Sequence, residues 1–197
     1  MGLHVNAVSD IPLSESRDYY LYVLDYYNWD EPISNTLKSN ITKIESLCAK
    51  NNSVMIRGLP DSHFYSEVLS WMSINGQDPD EILPALMITT VHPKYFIEEN
   101  NKKVSSEINE PLIFIKIRDV CKQPNDVISL IEKIFNDIKD KKEIRDFSIT
   151  NELRNSKGPR FVDSLILEPN ISGLGVNIKK LMAWVKSCMS SLDKERY

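Results

Sequence analysis

Most of the patterns that give a protein's chemistry away are missing from this chain. There are only six glycines in 197 residues, and none stands in a GxxxxGK[ST] arrangement, so there is no P-loop to cradle a nucleotide's phosphates. No GxSxG elbow is present to present a nucleophilic serine, and no HxH or HExxH spacing to hold a metal. The three cysteines, Cys48, Cys121 and Cys188, lie far apart and form no CxxC pair. That odd count reads as reduced thiols of a cytosol-like compartment. No stretch approaches the roughly 18–20 apolar residues of a membrane span. The opening Met-Gly-Leu-His-Val-Asn lacks a basic segment followed by an apolar one, and Asn6 stands where myristoylation requires Ser or Thr. A soluble, cytoplasmic protein with no membrane association is the expectation.

Charge narrows the field further. Twenty-eight acidic residues against 24 basic ones give a net charge of -4, whereas nucleic-acid platforms are usually basic, so direct nucleic-acid binding is not expected. Hydrophobic residues at 42% and charged ones at 26% match an ordinary soluble protein, which can bury a core. The length suits one domain.

What the chain does have is alternation of short apolar runs with helical stripes. Residues 1–18 are poor in apolar side chains and read as a loosely ordered N-terminal arm, with a single α/β domain over 19–197. Residues 19–27 (YYLYVLDYY) are rich in residues that suit a pleated surface and favour a strand, while an amphipathic helix starting at Ser16 is the rival reading. Asp30, Glu31 and Pro32 are helix-starting residues. After them Ile33, Leu37, Ile41, Ile44, Leu47 and Cys48 form one apolar stripe. Residues 53–57 predict a second strand. Phe64, Val68, Leu69 and Met72 mark a further helix that ends at Asn75-Gly76.

Residues 85–91 predict a central strand, and residues 111–117 a fourth. Val127, Ile128, Leu130, Ile131, Ile134, Phe135 and Ile138 follow the 3.6-residue period closely. Residues 144–150 and 162–167 read as strands, and a C-terminal helix carries Ile178, Leu181, Trp184 and Val185. Such alternation predicts a three-layer α/β fold: a mostly parallel central sheet of about five strands with helices on both faces.

Ligands of open α/β sheets bind outside the carboxyl ends of the strands. On parallel strands that rule would gather Asp25 and Trp29, then Asp61 and His63, then Thr90, His92 and Lys94, and finally Arg118 and Asp119. Asp61, His63, His92 and Asp119 are the candidates for acid–base catalysis, because imidazole titrates near neutrality and carboxylates can share its proton. Asp25, Trp29, Thr90, Lys94 and Arg118 would bind a ligand. Gly173 and Gly175, followed by Lys179, offer backbone N–H groups and a cation to an anion at a helix start. Cys121, between Arg118 and Lys122, is the one thiol whose neighbours would favour a thiolate, but with no histidine linked to it in sequence it reads as an ordinary free thiol.

With no metal-ligand spacing and no nucleotide loop, neither a metal nor another cofactor is expected. The expected function is a non-catalytic α/β module with a protein partner, working in a larger intracellular assembly. Two alternatives stand beside it. One is a small hydrolase or nucleotide-processing enzyme that uses the strand-end Asp/His cluster. The other is an accessory protein of a mobile-element or defence locus, suggested by an Asn-, Ile-, Lys- and Ser-rich composition. Neither oligomeric state nor strand order can be read from the sequence.

Overall fold

The aromatic segment after residue 18 is a strand, β2 (Tyr19–Leu24), with all six side chains buried. Burial on both faces requires cover on both faces. Tyr19, Leu21 and Val23 enter one hydrophobic cluster, and Tyr20, Tyr22 and Leu24 the other, as the two-residue period of a strand dictates. The chain is described here from a computed structural model over residues 1–12, 16–26, 30–71, 79–93 and 112–155. The expected elements at residues 162–167 and the C-terminal helix lie outside these residues, as do Trp29, Lys94, Gly173, Gly175, Lys179 and Cys188.

Among the described residues five strands form one sheet: β1 (Gly2–Val5), β2, β3 (Ser53–Gly58), β4 (Ala85–Thr89) and β5 (Leu112–Lys116), in the order β1-β3-β2-β4-β5. β3 pairs in parallel with both β1 and β2, whereas β4 runs antiparallel to both β2 and β5. Four strands therefore share one direction and β4 alone opposes them. The fold is α/β as expected, but its sheet is mixed rather than mostly parallel. The reason is local to β4: its side chains alternate identically in either direction, so its apolar pattern carries no information about which way it runs.

One face of the sheet carries the helix pair α1 (Pro32–Ser39) and α2 (Ile41–Lys50), together with α6 (Pro124–Lys139) and α7 (Ser148–Asn155). The opposite face is covered by α3 (Phe64–Trp71), by the residues around the short helix α4 (Pro79–Ile82) and by the 3-10 turn Val8–Asp10. A further single turn, α5 (Ile117–Val120), follows β5 directly.

The stripe predicted as one helix over residues 31–50 is two, divided at Asn40. Its N–H bonds the Thr36 and Leu37 carbonyls, its side-chain amide bonds Thr36 O at 2.8 Å, and its own carbonyl accepts the Ile44 N–H. One residue thus caps both helices. At the start of α6, Asp126 reaches back to accept the N–H groups of Lys122 and Gln123 at 2.8 and 2.9 Å. These bonds hold its carboxyl below the ordinary value.

Two expectations are corrected. Residues 2–5, read as part of a loose arm, form β1, and Val5, Val8 and Ile11 are buried behind it. Residues 144–150, read as a strand, are a 3-10 turn (Ile144–Asp146) followed by the start of α7. A buried carboxylate decides this second case. Asp137, in the last turn of α6, accepts the Ser148 N–H at 2.6 Å and the Ser148 hydroxyl at 3.0 Å, with Lys142 Nζ beside it. The first turn of α7 is therefore capped by another helix, a tertiary effect invisible to a local pattern.

Two substitutions test the packing. The Tyr22 hydroxyl is fully buried without a hydrogen-bond partner, and its ring stacks on Phe64 with centroids 6.3 Å apart. Removing an unsatisfied buried hydroxyl relieves its desolvation cost, so Tyr22→Phe should raise stability by about 1 kcal/mol. The check is a higher urea midpoint with an unchanged slope. At Gly58 an added Cβ would lie 2.7 Å from Ser62 Oγ and 2.8 Å from Phe64 Cβ, and Phe64 is locked in the core. Gly58→Ala should therefore lower stability by about 1–3 kcal/mol in the same titration.

Candidate functional site

β1, β2, β3 and β5 all end at the same edge of the sheet, where β4 begins. The chain passes from β2 to β3 on one side, then recrosses β2 to reach β4 on the other. β2 is thus the point where strand order reverses, the place where α/β sheets hold ligands. The first residue beyond it is Asp25.

The two-residue period that buries Leu21 and Val23 under α1 and α2 puts Asp25 on the same face, and the register places Arg57 of β3 opposite Val23. Asp25 has no exposed side-chain surface. Its Oδ1 accepts the Ser34 hydroxyl at 3.0 Å, and its Oδ2 meets no hydrogen-bond donor but faces Lys38 Nζ at 3.9 Å. Ser34 is fully buried and Arg57 is 7% exposed. Burial pushes the Asp25 carboxyl above its ordinary value. Lys38, the Ser34 hydroxyl, Arg57 and the Tyr26 N–H pull the other way without cancelling that effect.

Outside this sealed centre lies a second pair. Glu31, the residue before α1, takes hydrogen bonds from Arg118 of α5 at Oε2: one from Nε at 3.1 Å and one from Nη2 at 2.8 Å. Asn35 reaches Asp30 at 2.7 Å on the exposed side of α1. Tyr26 and Tyr65 meet edge to face, centroids 5.0 Å apart, and bridge the end of β2 to α3. Leu83-Pro84 is a cis peptide at the entry to β4, and the Pro84 carbonyl accepts the Ile117 N–H at 3.0 Å.

The predicted site residues divide between the two edges. Asp25, Arg118 and Asp119 follow strands that end at the shared edge, as do Asp61 and His63 in the turn after β3. Thr90 and His92 do not join them. β4 runs against β2, so its carboxyl end lies beside the start of β2, where Thr89 pairs with Tyr20. His92 packs edge-on against the Tyr20 ring, centroids 5.4 Å apart. The convergence expected of parallel strands is therefore broken.

Asp61 takes the left-handed backbone conformation, φ 61°, which Asp adopts more readily than most residues, and it serves the turn between β3 and α3. His63 is exposed just ahead of α3, where its carbonyl accepts the Glu67 N–H. Cys121 is buried, and its thiol is pushed up to about 12 by desolvation and by Asp126, against Lys122 and Lys133. The expected charge effect on a thiolate is thus reversed by burial. Burial also raises Cys48, to about 11. Among the described residues, no three His, Cys, Asp or Glu side chains lie close enough to hold a metal ion, and no helix is long and apolar enough to cross a membrane.

Ser34, Lys38, Arg57 and Glu31 were missed as site residues. Strand parity could have found Arg57, since it shares a face with the core residue Met55 and follows the apolar Val54, Met55 and Ile56. Ser34 and Lys38, four apart on α1, could have been paired with each other, though not with Asp25.

No family model, curated protein or solved structure shows significant similarity to the chain.

Because the fold holds the Asp25 proton more tightly than the unfolded chain does, the sign of its pH effect is set. Its contribution to stability is fully present below the ordinary carboxyl value of 3.8 and is lost as pH rises through the raised one. Asp25→Asn should therefore be more stable than the wild type at pH 7 and should lose that part of the pH dependence. Thermal melts of both proteins between pH 4 and 8 check the slope and its sign.

Proposed function

We propose that the protein is an interaction module of a larger intracellular assembly, with its partner seated on the shared strand edge around Tyr26, Tyr65 and the Glu31–Arg118 pair. The observation that carries this reading is the internal pairing of the charges at that edge. Asp25 is sealed under Ser34 and Lys38, and Glu31 is held by Arg118. Held in this way, neither carboxyl is turned toward a substrate. A hydrolytic site would instead need acid–base groups turned toward a substrate, and the Asp/His set weighed for that role has His92 at the far edge.

What remains outward at the shared edge suits recognition of a protein surface. Tyr and Arg carry a large share of binding energy at interfaces, because they combine apolar area with directional polar groups. Tyr65 and Arg118 are partly exposed and come from different elements.

The test is purification of the protein, crosslinked at native abundance in its own host, beside a Tyr65→Ala/Arg118→Glu variant. The wild type should bring down a stoichiometric protein partner, and the variant, shown to be folded by circular dichroism, should lose at least tenfold of it. A wild-type protein recovered alone would defeat the proposal. So would full activity of the host process in the double variant together with its loss in His92→Ala or Asp61→Ala.

A further inference from the structure

The Asp25 centre has an arrangement that serves more than cohesion. A carboxyl group with no exposed surface ends the central strand, and helix α1 is what covers it. Two side chains of α1 meet Asp25, the Ser34 hydroxyl on Oδ1 and the Lys38 ammonium 3.9 Å from Oδ2. From the sheet side, Arg57 of β3 acts on it, and the Tyr26 N–H lies next in its own chain. One carboxyl oxygen, Oδ2, is left without a hydrogen bond. As a carboxylate, that oxygen is buried without a hydrogen bond, with the Lys38 ammonium 3.9 Å away. As a carboxylic acid, the group carries no charge to bury.

We propose that Asp25 is a proton-operated latch that sets how firmly α1 is docked on the carboxyl edge of the sheet. Lifting α1 exposes Asp25 to water, where a carboxylate is well solvated. Docking it buries the group, where the neutral acid is favoured. Protonation therefore tightens α1 on the sheet and ionisation loosens it, by the same linkage that couples any bound proton to an opening equilibrium. Glu31 immediately precedes α1, so the latch governs the position of the Glu31–Arg118 pair whether or not a partner occupies the edge. The raised carboxyl value of Asp25 agrees in sign.

The experiment is native-state hydrogen exchange on the intact chain, read at the amides of Asn35 and Asn40, whose bonds to Glu31 O and to Thr36 O and Leu37 O belong to α1. Amides of α6 serve as the internal reference. After correction for intrinsic exchange, protection in α1 relative to α6 should fall by about tenfold per pH unit as pH rises from 3.8 to the Asp25 midpoint, and be flat above it. The midpoint is read independently from the Asp25 carboxyl carbon shift.

Asp25→Asn should abolish the dependence. Lys38→Met removes the nearest favourable charge and should move the α1 transition and the carboxyl midpoint upward together. It keeps the test decisive should the first variant not fold. Constant relative protection in the wild type overturns the latch. So does a transition that persists in Asp25→Asn, or one that stays put in Lys38→Met while the carboxyl midpoint moves.

Discussion

The structure depends on β2 being buried on every side. It is hydrogen-bonded to β3 on one flank and β4 on the other, and its faces feed both hydrophobic clusters. A strand so enclosed has no tolerance for slippage, since moving it by one residue would exchange the two sets of side chains between unlike environments. It would also move Asp25. Register, core and polar centre are thus one constraint, and the helices on either face are arranged to satisfy it. Ser34 and Lys38, which meet Asp25, belong to the same helix that places Leu37 in the core.

Period was legible in the sequence where it was strong. The stripe of α6 and the aliphatic runs of β3, β4 and β5 lie close to where their patterns put them, and the layered α/β class followed from their alternation. Direction was not legible. β4 has the same pattern read either way, so its reversal had to come from the connection into it, and that connection crosses β2 in the sheet. Short elements held by distant partners were equally opaque. β1 has only four residues and its partner lies about fifty residues on, while α7 begins where Asp137 of another helix supplies the cap.

The polar site shows the same divide. Asp25 and Arg118 were read as strand-end residues and do lie at the shared edge, because their strands point that way. His92 and Thr90 were placed with them on the assumption of parallel strands, and the reversal of β4 carries them to the other edge. Cys121 illustrates a different limit. Cations near it would favour a thiolate, but burial outweighs them: desolvation raises the thiol more than Lys122 and Lys133 lower it. Sequence proximity conveys charge, whereas the burial that decides its effect comes only with the fold.

Among the described residues β1 pairs with β3, with Gly2 opposite Met55 and Val5 opposite Gly58. The two strands are separated in sequence by β2, α1 and α2, so their pairing closes a loop of about fifty residues and carries its entropy cost. β1 lies beside a strand distant in the chain while β2, its neighbour in sequence, lies beyond β3, so order along the chain and order across the sheet differ.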